Sequence, residues 1–265
     1  MKLLWVMENY HPYVGGVETL FKTLEEQLLA RGHELVVLTS RSVRGAPPRE
    51  ERPGFTLIRL PMRSRYLFTF FAWPWVWYHA RKADLVHTTT YNAALPAWLG
   101  AWLARKKIVL TFHEVWDRLW FRLPFISPLT RRLHHAFEQL LLHLPFHRFV
   151  GVSHFTAQAL KDQGIAPDRV RMIYNGIAYP EFEVSERGST DGEAAFTYTF
   201  FGRLGISKGL DLLLAAAPIL RERIPGSQLQ LIVPKQPQGM YRWVKKACAQ
   251  SRPKGSRPLA ASPQL

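Results

Sequence analysis

The chain has 265 residues, room for one or two domains, and 47% of them are hydrophobic against 21% charged, which excludes a disordered polymer. It carries 35 Lys and Arg against 20 Asp and Glu, a formal charge of +15. Its one cysteine, Cys248, excludes an internal disulfide framework and a Cys-based zinc site, so a reducing, cytoplasmic setting fits.

The elements follow in chain order. Residues 3–7 are a short apolar run that predicts a buried strand, too brief for the ~7–15-residue core of a secretory signal. A polar, Gly-rich turn over 8–16 precedes apolar residues at helical spacing (Val17, Leu20, Phe21, Leu24, Leu28), and Arg31-Gly32 stops that helix. The run 34–39 is the next strand, and strand–helix–strand with a short return predicts a parallel βαβ unit. Strands over 55–60, 84–88, 107–112, 148–152 and 169–174 alternate with helices over 92–105 and 128–143 and one from the N-cap Ser153 to Gln163. The pattern predicts an open α/β domain with both sheet faces covered, over residues 1–179. An acidic, apolar-poor linker spans 180–195. A second α/β unit starts over 196–234 with a strand (196–201), a helix (210–223) and a strand (228–233), and a basic tail fills 235–265, its last part without apolar periodicity and read as disordered.

The loops at the carboxyl ends of these strands carry the chemistry. Gly15 and Gly16 open the first helix, where backbone N–H groups can meet an anion; a tight turn needing positive φ is the other reading. His113 ends the strand over 107–112, placed to bond a polar ligand or move a proton, or simply a polar loop residue. Asn175-Gly176 ends the last strand of the first domain, a turn signal at a hinge position. Arg203 and Lys208 lie five apart in the turn Phe201-Gly202-Arg203-Leu204-Gly205-Ile206-Ser207-Lys208-Gly209, a planar fork and a point charge suited to a diphosphate.

Together, Gly15-Gly16-Val17-Glu18, Thr111-Phe112-His113-Glu114, Val152-Ser153, Tyr174-Asn175-Gly176-Ile177 and Phe201-Gly202-Arg203-Leu204 with Lys208-Gly209 resemble glycosyltransferase family 4, the retaining, nucleotide-sugar-dependent enzymes of GT-B fold. The resemblance covers residues 1–234. It implies two Rossmann-like domains, an acceptor domain first and a donor domain second. It implies that Arg203 and Lys208 hold the donor diphosphate in place of a metal ion, with Gly15 and Gly16 as further donors, and that His113 bonds the donor sugar. No cofactor is implied beyond the nucleotide diphosphate sugar as co-substrate. The family's Glu-x7-Glu motif is absent, since no glutamate follows Glu222. The chain therefore reads as truncated in its donor domain, and the alternative is a non-catalytic remnant that binds acceptor or membrane.

Residues 66–78 hold eight aromatics in thirteen positions, with Arg63 and Arg65 before and Arg81-Lys82 after. Rings flanked by cations fit a segment at the lipid headgroup level, with Phe70, Phe71, Trp73, Trp75 and Trp77 facing the membrane. The alternative is a buried helix under the sheet beside an aromatic-rich acceptor pocket. A membrane role places the protein peripherally on the inner face, with a lipid-linked or glycan acceptor. The +15 charge brings no nucleic-acid module with it, and the histidines over 133–146 form no metal-ligand spacing.

Overall fold

A computed structural model of the chain describes residues 1–13, 15–89, 91–123, 126–176, 196–202, 204, 208–233 and 238–250. Two compact units divide the chain, Met1–Phe182 and Glu183–Leu265. The linker expected over 180–195 and the end of the tail from 251 lie outside the described residues.

In the first unit β1 (Lys2–Met7), α1 (Gly16–Ala30) and β2 (Glu34–Ser40) form the expected parallel βαβ unit, with Leu4 opposite Val36. A strand that the pattern did not announce follows. β3 (Arg49–Arg52) pairs antiparallel with β4 (Phe55–Leu60) around Gly54, whose φ of +73° makes the reversal. Its four residues are charged and exposed, so no apolar alternation marks it, and the charges guard an open sheet edge.

The aromatic segment folds as two helices, α2 (Arg65–Phe71) and α3 (Trp73–Ala80), broken at Ala72 because Pro74 can sit only in a helix's first turn. Phe68, Ala72, Val76 and Ala80 are fully buried at four-residue spacing, while the opposite face is exposed. After β5 (Leu85–Thr89), α4 (Ala94–Leu103) packs on α3 at very short range: a Cβ on Gly100 would lie 2.6 Å from Val76 Cβ and 2.8 Å from the Trp77 nitrogen.

β6 (Lys107–Phe112) is followed by a 3-10 turn, Asp117–Arg122, and by α5 (Pro128–His143). The Ser127 hydroxyl caps α5 by accepting from the Thr130 N–H at 3.1 Å. Next come β7 (Arg148–Gly151), α6 (His154–Asp162), capped by Ser153 in the same way, and β8 (Val170–Met172), shorter than the expected 169–174.

The eight strands lie in the order β3-β4-β2-β1-β5-β6-β7-β8, parallel except for β3. Strand order runs one way from β1 to β4 and the other way from β5 to β8. With right-handed crossovers this puts α1 on one face and α2–α6 on the other. Phe21 of α1 packs on Trp5, Val37 and Leu57, whereas Val6, Val86, Leu110 and Phe149 meet the remaining helices. The expectation that helices cover both faces therefore holds for one face only. On α1's side the described helices stop short of β6–β8, and a cavity of about 530 Å³ opens there, bordered by Phe21, His87, Thr111, Val150 and Tyr174.

The second unit pairs β9 (Thr197–Phe201) with β10 (Gln228–Ile232) in parallel across α7 (Leu210–Arg223). A further helix, α8 (Gln238–Gln250), forms in the basic tail, where the sequence reading assigned no element. Its Val244 is buried with Leu204, Leu210 and Leu231 in a small separate core.

Candidate functional site

Because the strands of the first unit run parallel, their outgoing connections share one edge of the sheet. The order reverses between β1 and β5, so the connections after these two strands part and leave a crevice, the usual ligand position in open α/β sheets.

Gly15 and Gly16 stand at this crevice. Gly15 is the N-cap of α1 with φ −162° and ψ 165°, an extended conformation open to any residue. Gly16 is the first helical residue, and nothing lies within 4 Å of where its Cβ would be. Neither glycine has positive φ, so the tight-turn reading fails. What they provide is a helix start with no side chains of its own at 15 and 16, whose first N–H groups have no backbone partner within the helix. At Gly15 a side chain would run into the Glu18 carboxylate.

Opposite, after β5, Asn92 donates from Nδ2 to Glu8 Oε2 at 2.6 Å, and Arg65 Nε lies 3.5 Å from the other Glu8 oxygen. Sequence reasoning passed over this Glu8–Asn92–Arg65 group. Its signal was present, an acid directly beyond β1 and an amide three residues beyond β5.

His113 follows β6. Burial pushes its imidazole below the ordinary histidine range, which leaves it neutral near pH 7, and its Nε2 is buried with no hydrogen-bond partner among the described residues. A buried polar atom left without a partner is a costly arrangement that a ligand hydroxyl relieves. Nearby on β5, His87 is pushed down to about 4 by burial and, less, by His113; its Nε2 lies 2.8 Å from Thr111 Oγ1.

The loop that begins with His113 is held by Glu138, a second residue missed in the sequence. Glu138 sits on α5 and is fully buried. Its Oε1 accepts from the Tyr91 hydroxyl at 2.7 Å and the Trp116 N–H at 2.8 Å, and its Oε2 from the Asp117 N–H at 2.7 Å and Trp120 Nε1 at 2.9 Å. Asp117 is held at φ +42°, a region L-residues rarely adopt. The signal for this carboxylate was that it is the single acid of α5, one turn before the apolar pair Leu141-Leu142.

Asn175 and Gly176 are exposed beyond β8 and border the cavity on α1's side, three strands away from the crevice. Lys208 belongs to the second unit; it is exposed directly before Gly209, which caps α7 at φ +69°. Arg203 lies outside the described residues. Of the aromatic candidates, Phe70, Phe71, Trp75 and Trp77 are exposed and Trp73 is half-buried. Among the described residues no helix is long and apolar enough to cross a membrane, and no three His, Cys, Asp or Glu side chains gather as metal ligands.

Residues 14–179 match the family described as Glycosyltransferase Family 4. No curated protein matches the chain. Among solved structures, HepE of Anabaena in complex with UDP and glucose superposes with a TM-score of 0.64 at 16% identity, over 95% of this chain and 66% of that one. Sucrose-phosphate synthase from Thermosynechococcus elongatus gives 0.66 at 18% identity, over 95% and 68%. WaaG, a glycosyltransferase involved in lipopolysaccharide biosynthesis, gives 0.59 at 16% identity, over 92% and 67%. The chain thus spans about two thirds of the length of these proteins. At such identities the likeness is one of fold, and the Rossmann-like α/β architecture expected from the sequence is the one found.

Proposed function

The chain belongs to glycosyltransferase family 4, and from that premise we propose that it transfers a sugar from a nucleotide diphosphate sugar to a lipid-linked or membrane glycan acceptor, with retention at the anomeric carbon. The UDP and glucose in the HepE structure support a donor of this class. In the reaction the bond from the anomeric carbon to the diphosphate oxygen breaks. The acceptor hydroxyl oxygen bonds to that carbon on the same face, and its proton passes to the leaving phosphate.

Arg203 and Lys208 take up the charge that grows on the diphosphate, and the N–H groups at Gly15 and Gly16 add neutral donors, so the step needs neither metal nor other cofactor. Asn175 and Gly176 serve as the hinge between the two units. The observation that carries the reading is the buried, unpartnered Nε2 of a neutral His113 at the carboxyl edge of β6, which suits a sugar hydroxyl. The exposed rings of Phe70, Phe71, Trp75 and Trp77, with Arg63, Arg65, Arg81 and Lys82 around them, support a peripheral position on the cytoplasmic membrane face.

Calorimetric titration with nucleoside diphosphates and their sugars tests the donor half. Binding is expected, weakened roughly 10- to 100-fold by Lys208→Gln and again by Arg203→Gln, since a charge-assisted hydrogen bond contributes ~1.5–3 kcal/mol. Absence of donor binding at millimolar concentration overturns the transferase reading and leaves a chain that binds acceptor or membrane without turnover.

A further inference from the structure

Residues 41–65 hold seven arginines against two glutamates, and of the seven only Arg59 is buried, at 5% exposure. It stands near the carboxyl end of β4, two positions after Leu57, so it shares the α1 face of the sheet with Phe55 and Leu57. A buried charge persists where its hydrogen bonds are met. Arg59 meets them on three segments of the chain. Nη1 donates to the Pro47 carbonyl at 2.7 Å and to Glu50 Oε1 at 2.5 Å, and Nη2 donates to the His11 carbonyl at 2.7 Å. Pro47 and Glu50 lie just before and within β3. His11 lies in the loop that leads to Gly15 and Gly16.

That loop is held from other sides as well. Tyr10 is buried, and its hydroxyl donates to Glu25 Oε2, a fully buried carboxylate of α1 that also pairs with Arg52 and accepts from Lys22 Nζ at 2.8 Å. Burial pushes the Tyr10 phenol above its ordinary range, so it stays a donor. The Glu8 carbonyl accepts from the Ser40 N–H at 3.1 Å. One short loop is thus tied to three elements: Glu8 to β2, Tyr10 to α1 and His11 to β4. Among the described residues, the Arg59–His11 bond is the last from another element before Gly15. α1 is placed separately, by its apolar side. Gly15 belongs to both parts. Its carbonyl accepts the first helical bond, from the Thr19 N–H at 2.9 Å, while its own N–H takes its direction from the loop before it.

We propose that Arg59 is a positioning residue for the donor diphosphate: its guanidinium, buried against the loop, holds His11 so that the amides leading to Gly15 stand ready for the phosphate oxygens. The proposal rests on the transferase reading and deepens it, adding a residue that acts through the backbone of another. Donors fixed before the ligand arrives lose nothing to reordering when it binds. A planar fork suits the task because one group spans three acceptors, whereas an ammonium carries the same charge without that span.

Calorimetric titration of the full chain tests this, with the tightest-binding of UDP, ADP and GDP and with its own nucleoside, which lacks the diphosphate. Arg59→Met is expected to raise the Kd for the diphosphate about tenfold, the equivalent of one amide bond to a charged oxygen, and to leave that for the nucleoside unchanged. Arg59→Lys keeps the buried charge and should recover only part of this, with a Kd roughly threefold above wild type. If the methionine variant does not fold, the lysine variant decides alone. A lowered stoichiometry with wild-type Kd values makes Arg59 merely structural and overturns the proposal. An equal loss for nucleoside and diphosphate overturns it too, and so does full recovery by lysine, which leaves charge alone as the cause. If the wild type binds none of the three diphosphates, the transferase reading fails and takes the proposal with it.

Discussion

At the scale of single residues, two buried groups give the strongest tests. The His87 pKa is pushed down to about 4, so between that value and 6.5 the unfolded chain binds a proton that the native chain refuses. Its contribution is therefore complete above about pH 6.5 and declines as pH falls toward 4, costing on the order of 2 kcal/mol, since water reaches the ring through the cavity. Urea unfolding at pH 7 and pH 5 should show that loss in the wild type, and a smaller one in His87→Gln. The same slope in both proteins would assign the pH dependence elsewhere. Glu138 makes the second test. Its four donors are all neutral, so Glu138→Ala strands two backbone N–H groups and an indole N–H and should cost about 3 kcal/mol in urea unfolding followed by tryptophan fluorescence. Glu138→Gln should recover only part of this, because an amide offers one acceptor oxygen where the carboxylate offers two.

At the scale of elements, the α3–α4 crossing depends on the missing side chain of Gly100. Gly100→Ala puts a methyl group 2.6 Å from Val76 Cβ, so the helices must separate, and about 1–3 kcal/mol of stability should be lost in thermal or urea unfolding. An unchanged midpoint would mean that the pair slides apart freely. Elements with local punctuation were legible in the sequence: the Ser153 cap and the glycine at 32 set the ends of their helices within a residue or two. What was not legible depends on partners distant in sequence. β3 exists because β4 offers it a ladder, and no pattern in Arg49-Glu50-Glu51-Arg52 says so. The break at Ala72 could be read from Pro74, but not the burial of one side of both helices. In the site, the loop positions of Gly15, Gly16 and His113 followed from strand ends. The grip of Glu138 on a loop some twenty residues away did not.

At the scale of the whole molecule, the two units differ in how much they can stabilise themselves. The first carries an eight-stranded sheet with a buried apolar cluster on each face, while the described part of the second rests on two strands and a small core around Leu204, Leu210, Leu231 and Val244. A fragment ending at Gly176 should fold alone and unfold cooperatively at a urea midpoint near that of the main transition of the full chain, with a smaller transition earlier in the full chain only. A fragment without a cooperative transition would show that the later residues complete its core. The carboxylate of Glu138 also has a mechanical meaning. Letting go of the Trp116–Trp120 loop would strand a bare negative charge in a dry interior, so helix and loop travel as one rigid piece. A shift of α5 is then carried through Trp116, Asp117 and Trp120 to the loop that His113 begins.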